Sequence, residues 1–254
     1  MDQFILFGDS ITQKASTSLI PSLATRYIRR LDVVNRGFSG YNTRQALQVL
    51  PRVFPSPAQA RVRFLVVFFG ANDARLPDTG LPPQQHVAIA EYQDKLTRIV
   101  QHPCVRAHDG IRVVLVTPPP VDESMCMDRE LGKPADATRE YQPLREAHVT
   151  AEYASAVRLL GAELGTPVLD IWSAMMSRAS PNGHLVGSRS TEPCEALRVF
   201  LDDGLHLSRS GYELLDQELL GLIERTWPDQ MPDELPMVFP SWDDEKHWEG
   251  CKGR

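Results

Sequence analysis

The run Phe64-Leu65-Val66-Val67-Phe68-Phe69 sets six large apolar side chains in succession with no polar residue between them. A half-buried strand alternates apolar and polar positions, so an unbroken run closed by Gly70 suits a strand covered on both faces. Shorter apolar runs that end at polar or Gly/Pro turns give five strand candidates in all, at 4–7, 32–35, 63–69, 111–117 and 167–170. Helical patterns fall between and after them, at 19–31, 43–53, 84–101, 138–164 and 208–226. Strands alternating with helices predict a parallel sheet with helices on both faces, joined by right-handed crossovers. In such sheets reactive groups gather at the carboxyl ends of the strands.

Two stretches stand outside this alternation. Residues 118–136 open with Pro118-Pro119-Pro120 and are expected to form a long loop near the site, a wall or lid or a tolerated insertion. Residues 227–254 are rich in Pro and acidic side chains but keep Phe239, Trp242 and Trp248, more large apolar groups than disordered tails hold. The chain is therefore expected to form one body over 1–226, with a tail over 227–254 that packs on it or pairs two chains as a homodimer.

The net charge of -6 gives no basic footprint for nucleic acid and opposes docking on anionic membranes. No apolar run approaches bilayer length, and Phe4 to Phe7 is too short for the core of a signal peptide, so a cytoplasmic protein without membrane insertion is expected. Cys104, Cys126, Cys194 and Cys251 are scattered without C-x-x-C or metal-ligand spacing and read as free thiols. The histidines at 86, 102, 108, 148, 184, 206 and 247 form no H-x-x-x-H pair, so neither a metal nor a cofactor is expected.

Four fragments carry residues capable of chemistry. The first strand runs into Gly8-Asp9-Ser10, where a serine can expose its oxygen; on its own this reads first as a helix cap. The second runs into Asn35-Arg36-Gly37-Phe38-Ser39-Gly40-Tyr41-Asn42-Thr43, whose glycines permit unusual backbone angles and close approach to main-chain N–H groups; the plain alternative is a turn capped by Thr43. Gly37-x-Ser39-Gly40 falls one residue short of a G-x-S-x-G elbow, which argues against Ser39 as nucleophile. The third ends Gly70-Ala71-Asn72-Asp73, where Asn72 offers a neutral donor for an oxyanion or simply makes a turn. Asp202-Asp203-Gly204-Leu205-His206 precedes the last helix, and the spacing of Asp203 and His206 lets a tight turn bring carboxylate and imidazole together, with Asp202 as the alternative partner.

In this order the fragments resemble the SGNH, or GDSL, hydrolase superfamily, which distributes Ser, Gly, Asn and His over four blocks with an Asp three residues before the His. Phe7-Gly8-Asp9-Ser10-Ile11-Thr12 matches the first block, Gly40 the glycine of the second, Gly70-Ala71-Asn72-Asp73 the third and Asp203-Gly204-Leu205-His206 the last. Ala71 stands where the family more often has glycine. Asn35 to Arg44, Gly70 to Ala74, Gln85-His86-Val87 and Thr117-Pro118-Pro119-Pro120-Val121-Asp122-Glu123 are similar to the isoamyl acetate-hydrolysing esterase branch.

The resemblance implies a flavodoxin-like three-layer α/β/α sandwich with a five-stranded parallel sheet, acting on short-chain carboxylic esters, small-molecule substrates, without a cofactor. It implies Ser10 as nucleophile, His206 as base, Asp203 as its partner, and an oxyanion hole of Ser10, Gly40 and Asn72. His86 either lines the substrate site or is structural. The same scaffold serves carbohydrate deacetylases, thioesterases and lysophospholipases, and specificity lies in its loops. The rival of another class is a catalytically inactive α/β module that binds a small anion at the same strand ends. It lacks support from any G-x-x-x-x-G-K or G-x-G-x-x-G loop.

Overall fold

A computed structural model describes residues 1–77, 84–131, 143–244 and 248. Five parallel strands, β1 (Asp2–Gly8), β2 (Leu31–Gly37), β3 (Val62–Phe68), β4 (Arg112–Val116) and β5 (Val168–Leu169), form one sheet in the order β2-β1-β3-β4-β5. That is the flavodoxin-like order, with β1 flanked by β2 and β3. The first half of the chain adds α1 (Ser10–Lys14), α2 (Leu19–Arg26), α3 (Thr43–Val53), α4 (Ile89–Val100) and α5 (Pro103–Arg106). The second half adds α6 (Glu123–Leu131), α7 (Ala147–Leu164), α8 (Ile171–Ala179), α9 (Glu195–Arg198) and α10 (Arg209–Thr226).

The unbroken apolar run divides by parity. Phe4 and Leu6 of β1 and Phe64, Val66 and Phe68 of β3 pack with Leu19 and Leu23 of α2, Met175 of α8 and Leu215 and Leu219 of α10. Ile5, Phe7, Leu65 and Val67, with Phe69, face the opposite way and pack with Leu50 of α3, Tyr92 and Leu96 of α4 and Tyr153 and Val157 of α7. Successive strand side chains point to opposite faces, so a chain buried on both needs apolar residues at every position. Aromatic pairs mark both cores: Phe4 stacks on Phe64 at 4.8 Å between centroids, and Phe7 meets Phe69 edge to face at 4.9 Å.

Local chemistry sets the helix ends. Asn42, not Thr43, caps α3: its side chain accepts from the Arg44 and Gln45 N–H groups while Gln45 reaches back to the Asn42 N–H, a complete capping box. The helix expected over 19–31 stops at Arg26, and Arg29 takes a left-handed φ of 62° before β2 begins. The helix expected over 84–101 begins only at Ile89, and α7 begins at Ala147 rather than 138, with 138–142 outside the described residues. The largest departure is at 118–136. That stretch is not a loop throughout but carries α6, whose Glu-Ser-Met-Cys-Met-Asp-Arg-Glu-Leu sequence lacks a clear apolar stripe; residues 132–136 lie outside the description.

Past α10 the chain returns to the α2–β2 turn. Gln230 O accepts from the Tyr27 hydroxyl at 3.1 Å, Leu235 O from Arg30 Nε at 2.8 Å, and Val238 N–H donates to Arg29 O at 2.9 Å. Leu235 is buried, whereas Phe239 and Trp242 are exposed. Among the described residues no helix is long and apolar enough to cross a membrane.

Candidate active site

Strand register places three of the sequence-predicted residues at one edge. Gly8 at the end of β1 pairs with Gly37 of β2 and Phe68 of β3. Ser10, Gly40 and Asn72 lie two to four residues beyond these partners, above the carboxyl ends of three adjacent strands. Phe38 N–H donates to Gly8 O at 2.8 Å and continues the β1–β2 ladder into the turn. Asp9 caps α1 by accepting the Ile11 N–H at 2.9 Å, which leaves Ser10 as the first helical residue. The capping role that the sequence offered as an alternative therefore falls to Asp9, and the Ser10 hydroxyl is engaged elsewhere.

Its partner is His206. The Ser10 hydroxyl lies 2.9 Å from His206 Nε2, and His206 Nδ1 lies 2.7 Å from Asp203 Oδ2. An ionised carboxylate only accepts, so Nδ1 carries the proton and Nε2 is left to accept from the serine. The other carboxylate oxygen takes the backbone N–H groups of Leu205 at 3.2 Å and His206 at 2.8 Å, closing the tight turn on itself. Gly204 has φ 83°, the left-handed conformation this turn requires. Asp202 joins the turn through its backbone N–H, which donates to His206 O at 2.8 Å, while its side chain is exposed. Burial works against the charged form of Asp203. The hydrogen bonds from the His206 ring and backbone, with the charges of His206 and Arg129, outweigh it and hold the carboxylate well below its ordinary range.

Gly40 and Asn72 meet across the β2 and β3 turns. Asn72 is buried; its Nδ2 donates to Tyr41 O at 2.9 Å and its Oδ1 accepts from Arg145 Nη2 at 3.2 Å. Arg145 also donates through Nε to Ala71 O at 3.2 Å, so the amide is fixed with its NH₂ toward the Gly40 turn. Gly40 has φ 81°, and its carbonyl accepts from Gln85 Nε2 at 2.7 Å. Gln85 Oε1 in turn accepts from Arg75 Nη1 at 3.2 Å, and Gln85 O from Asn42 Nδ2 at 2.9 Å.

Beneath both groups lie two buried carboxylic acids. Asp73 accepts from the Thr43 N–H at 3.0 Å and from the Thr43 hydroxyl, tying α3 to the Asn72 turn. Burial pushes Asp73 up to about 6 and Asp9 up to about 7, and the proximity of Asp73 adds to the rise at Asp9.

Most of the other histidines have structural partners, with His148 Nε2 3.5 Å from Glu146, while His184 is exposed. His86 Nδ1 is 2.7 Å from Arg75 O, His102 caps α5, and His108 bridges the Val62 N–H and Pro55 O; His247 lies outside the described residues. Cys104, Cys126 and Cys194 are free thiols, and Cys251 is outside the description. Among the described residues no group of three or more His, Cys, Asp or Glu side chains is placed to hold a metal ion. Residue types alone did not reveal Arg129 and Arg145, and Gln85 stood out only beside His86 in a segment picked by resemblance.

Residues 6–214 match the GDSL-like lipase/acylhydrolase family. The chain is 34% identical over 246 residues to a GDSL esterase/lipase of Arabidopsis thaliana, covering 94% of this chain and 91% of that protein. It is 35% identical over 245 residues to the isoamyl acetate-hydrolyzing esterase 1 homolog of Homo sapiens, covering 95% of this chain and 87% of that protein. Among solved structures, a lipase/acylhydrolase from Enterococcus faecalis superposes with a TM-score of 0.63 at 23% identity, covering 94% of this chain and 100% of that one.

Proposed function

The chain belongs to the GDSL-like lipase/acylhydrolase family, and from that premise we propose that it is a serine esterase that hydrolyses short-chain, acetate-type carboxylic esters through an acyl-enzyme. The observation that carries this reading is the unbroken hydrogen-bond chain from Asp203 through His206 to Ser10, set at the strand ends that also hold Gly40 and Asn72. Ser10 Oγ attacks the ester carbonyl while His206 Nε2 takes its proton, and Asp203 stabilises the imidazolium. The carbonyl oxygen becomes an oxyanion facing the Ser10 and Gly40 backbone N–H groups and Asn72 Nδ2. Neutral, fixed donors favour that charge without adding a group that titrates. His206 then gives its proton to the departing alcohol, and a water activated by the same nitrogen releases the acid and restores Ser10. The preference for acetate-type esters draws support from relatives named as isoamyl acetate-hydrolyzing esterase homologs.

Labelling of the purified protein with a fluorophosphonate, followed by peptide mapping, tests the nucleophile. A single adduct on Ser10, absent from Ser10→Ala, is expected; folded wild-type protein that takes no label would overturn the reading. A panel of acyl esters, acetylated sugars and thioesters then tests the substrate class, with kcat/KM expected to be highest on short acyl esters.

A further inference from the structure

Helix α6 reaches the proposed proton relay through Arg129 Nη1. Its start is seated on the 202–206 turn: Asp122 N–H donates to Gly204 O at 3.0 Å, and a Cβ added at Gly204 would meet Asp122 O at 2.5 Å. Asp122 caps the helix through the Met125 N–H at 2.9 Å and is held by Arg198 Nε at 2.9 Å. Buried Glu123 accepts the Ala147 N–H at 2.8 Å and the Arg189 N–H at 3.1 Å. So anchored at its first turn, α6 delivers Arg129 to the relay. Arg129 Nη1 donates to Asp203 Oδ2 at 3.1 Å, the same oxygen that accepts from His206 Nδ1. The two side chains are only 23% and 21% exposed, so water screens the pair weakly.

We propose that Arg129 is a positioning residue for the relay, which by sharing Asp203 Oδ2 with His206 fixes the carboxylate and offsets part of the charge that Asp203 presents to the imidazole. This rests on the assignment of Ser10, His206 and Asp203 as the reacting triad. The physical argument is competition for one oxygen. A guanidinium that never deprotonates offsets part of the carboxylate charge, so Asp203 favours the imidazolium less than it would alone. Other groups face the same turn. Glu130 lies 3.4 Å from Arg129, and the Cys126 thiol, pushed up to about 11 by burial, is uncharged at neutral pH. Arg145 approaches from the segment before α7, Asp122 with Arg198 lies against Gly204, and Asp202 and Ser10 bond to His206 directly. Of these groups, Arg129 donates directly to the oxygen that holds the imidazole.

The test is the pH profile of kcat/KM on an acetate ester for wild type, Arg129→Gln, Arg129→Met and Arg129→Lys, each checked for folding by circular dichroism and thermal midpoint. Removing the cation leaves Asp203 to favour the imidazolium unopposed. The acid limb of either neutral variant is expected to move up by about one pH unit. On that limb the loss is roughly ten-fold at fixed pH, with the alkaline plateau and KM near wild type. Arg129→Lys is expected to return the limb toward wild type. A folded neutral variant whose acid limb coincides with that of wild type overturns the proposal, as does a lysine variant displaced as far as glutamine. The methionine variant, which keeps the apolar stem, serves where glutamine does not fold. Wild-type protein without a fluorophosphonate adduct on Ser10 would instead remove the triad assignment on which the proposal stands.

Discussion

The 202–206 turn and the Gly40–Asn72 pair are both parts of the candidate site, but they are held by different means. In the turn, Asp203 and His206 are three residues apart, and the carboxylate takes two of its hydrogen bonds from backbone within the same five residues. Gly40 and Asn72 come from two different strand ends, and side chains from elsewhere fix each one: Gln85 on the Gly40 carbonyl, Arg145 on the Asn72 amide. In the proposed mechanism the turn handles a proton, and it is built from groups that carry charge. In the same mechanism the Gly40–Asn72 pair faces a charge that exists only during the reaction, and its donors are neutral. The contrast indicates that the turn depends on charge and tautomer, whereas the pair depends on placement.

Asp203→Asn probes the charge dependence most strongly. An asparagine keeps the shape of the turn but can no longer compensate the imidazolium or dictate the tautomer, and kcat is expected to fall by about 10³–10⁴-fold. Asp202→Asn, whose side chain points to solvent, is expected to stay near wild type. Steady-state kinetics of the two variants side by side decides the matter: a larger loss at 202 than at 203 would break the assignment of the turn.

Asn72→Ala addresses placement. It removes one proposed oxyanion donor and leaves Arg145 without its amide acceptor, while Arg145 keeps the Ala71 carbonyl. The expected loss is about 10²–10³-fold in kcat, with little change in KM, because the lost interaction forms only as charge develops. A loss carried by KM alone would show that Asn72 binds the resting ester and not the oxyanion.

The same division decided what could be read from sequence. The β3 run declared a strand covered on both faces, and the two cores with alternating parity are its direct consequence. The bounds of helix α3, 43–53, were legible in its apolar pattern, whereas the cap expected at Thr43 proved to be Asn42, with Gln45 closing the capping box. Asp203 and His206 were legible because a three-residue spacing is local. Arg129 and Arg145 were not. Each meets its partner more than seventy positions away in the chain, Arg129 at Asp203 and Arg145 at Ala71, with a separation of 74 in both cases. Arginines are common on surfaces, and nothing in residue type marks a buried one. Helix α6 escaped notice for a related reason: its anchors are Gly204, Ala147 and Arg198, so tertiary contacts rather than an amphipathic pattern hold it in place.

Beneath the two regions, Asp9 and Asp73 sharpen the comparison through stability instead of rate. Asp203 is ionised because donors surround it; Asp9 is buried with the Ile11 N–H on one oxygen, and its folded value lies near 7 against an ordinary 3.8. A carboxyl raised on folding contributes stability that is fully present below its unfolded value and is lost as the pH rises through the folded one. For Asp9 the loss runs from about pH 4 to about pH 7, and Asp73, near 6, adds a shorter slope of the same sign. Asp203 has the opposite sign, and its contribution is lost only as the pH falls below the ordinary carboxylate range. Asp9→Asn keeps an acceptor for the Ile11 N–H and cannot ionise. Its thermal midpoint is expected to match wild type near pH 4 and to exceed it by about 8 °C at pH 8, the gap opening between those limits. Thermal melts across pH 4–8 measure that gap. A constant offset would mean that Asp9 is already ionised in the folded protein and draws on donors other than the Ile11 N–H, as Asp203 does in the turn above it.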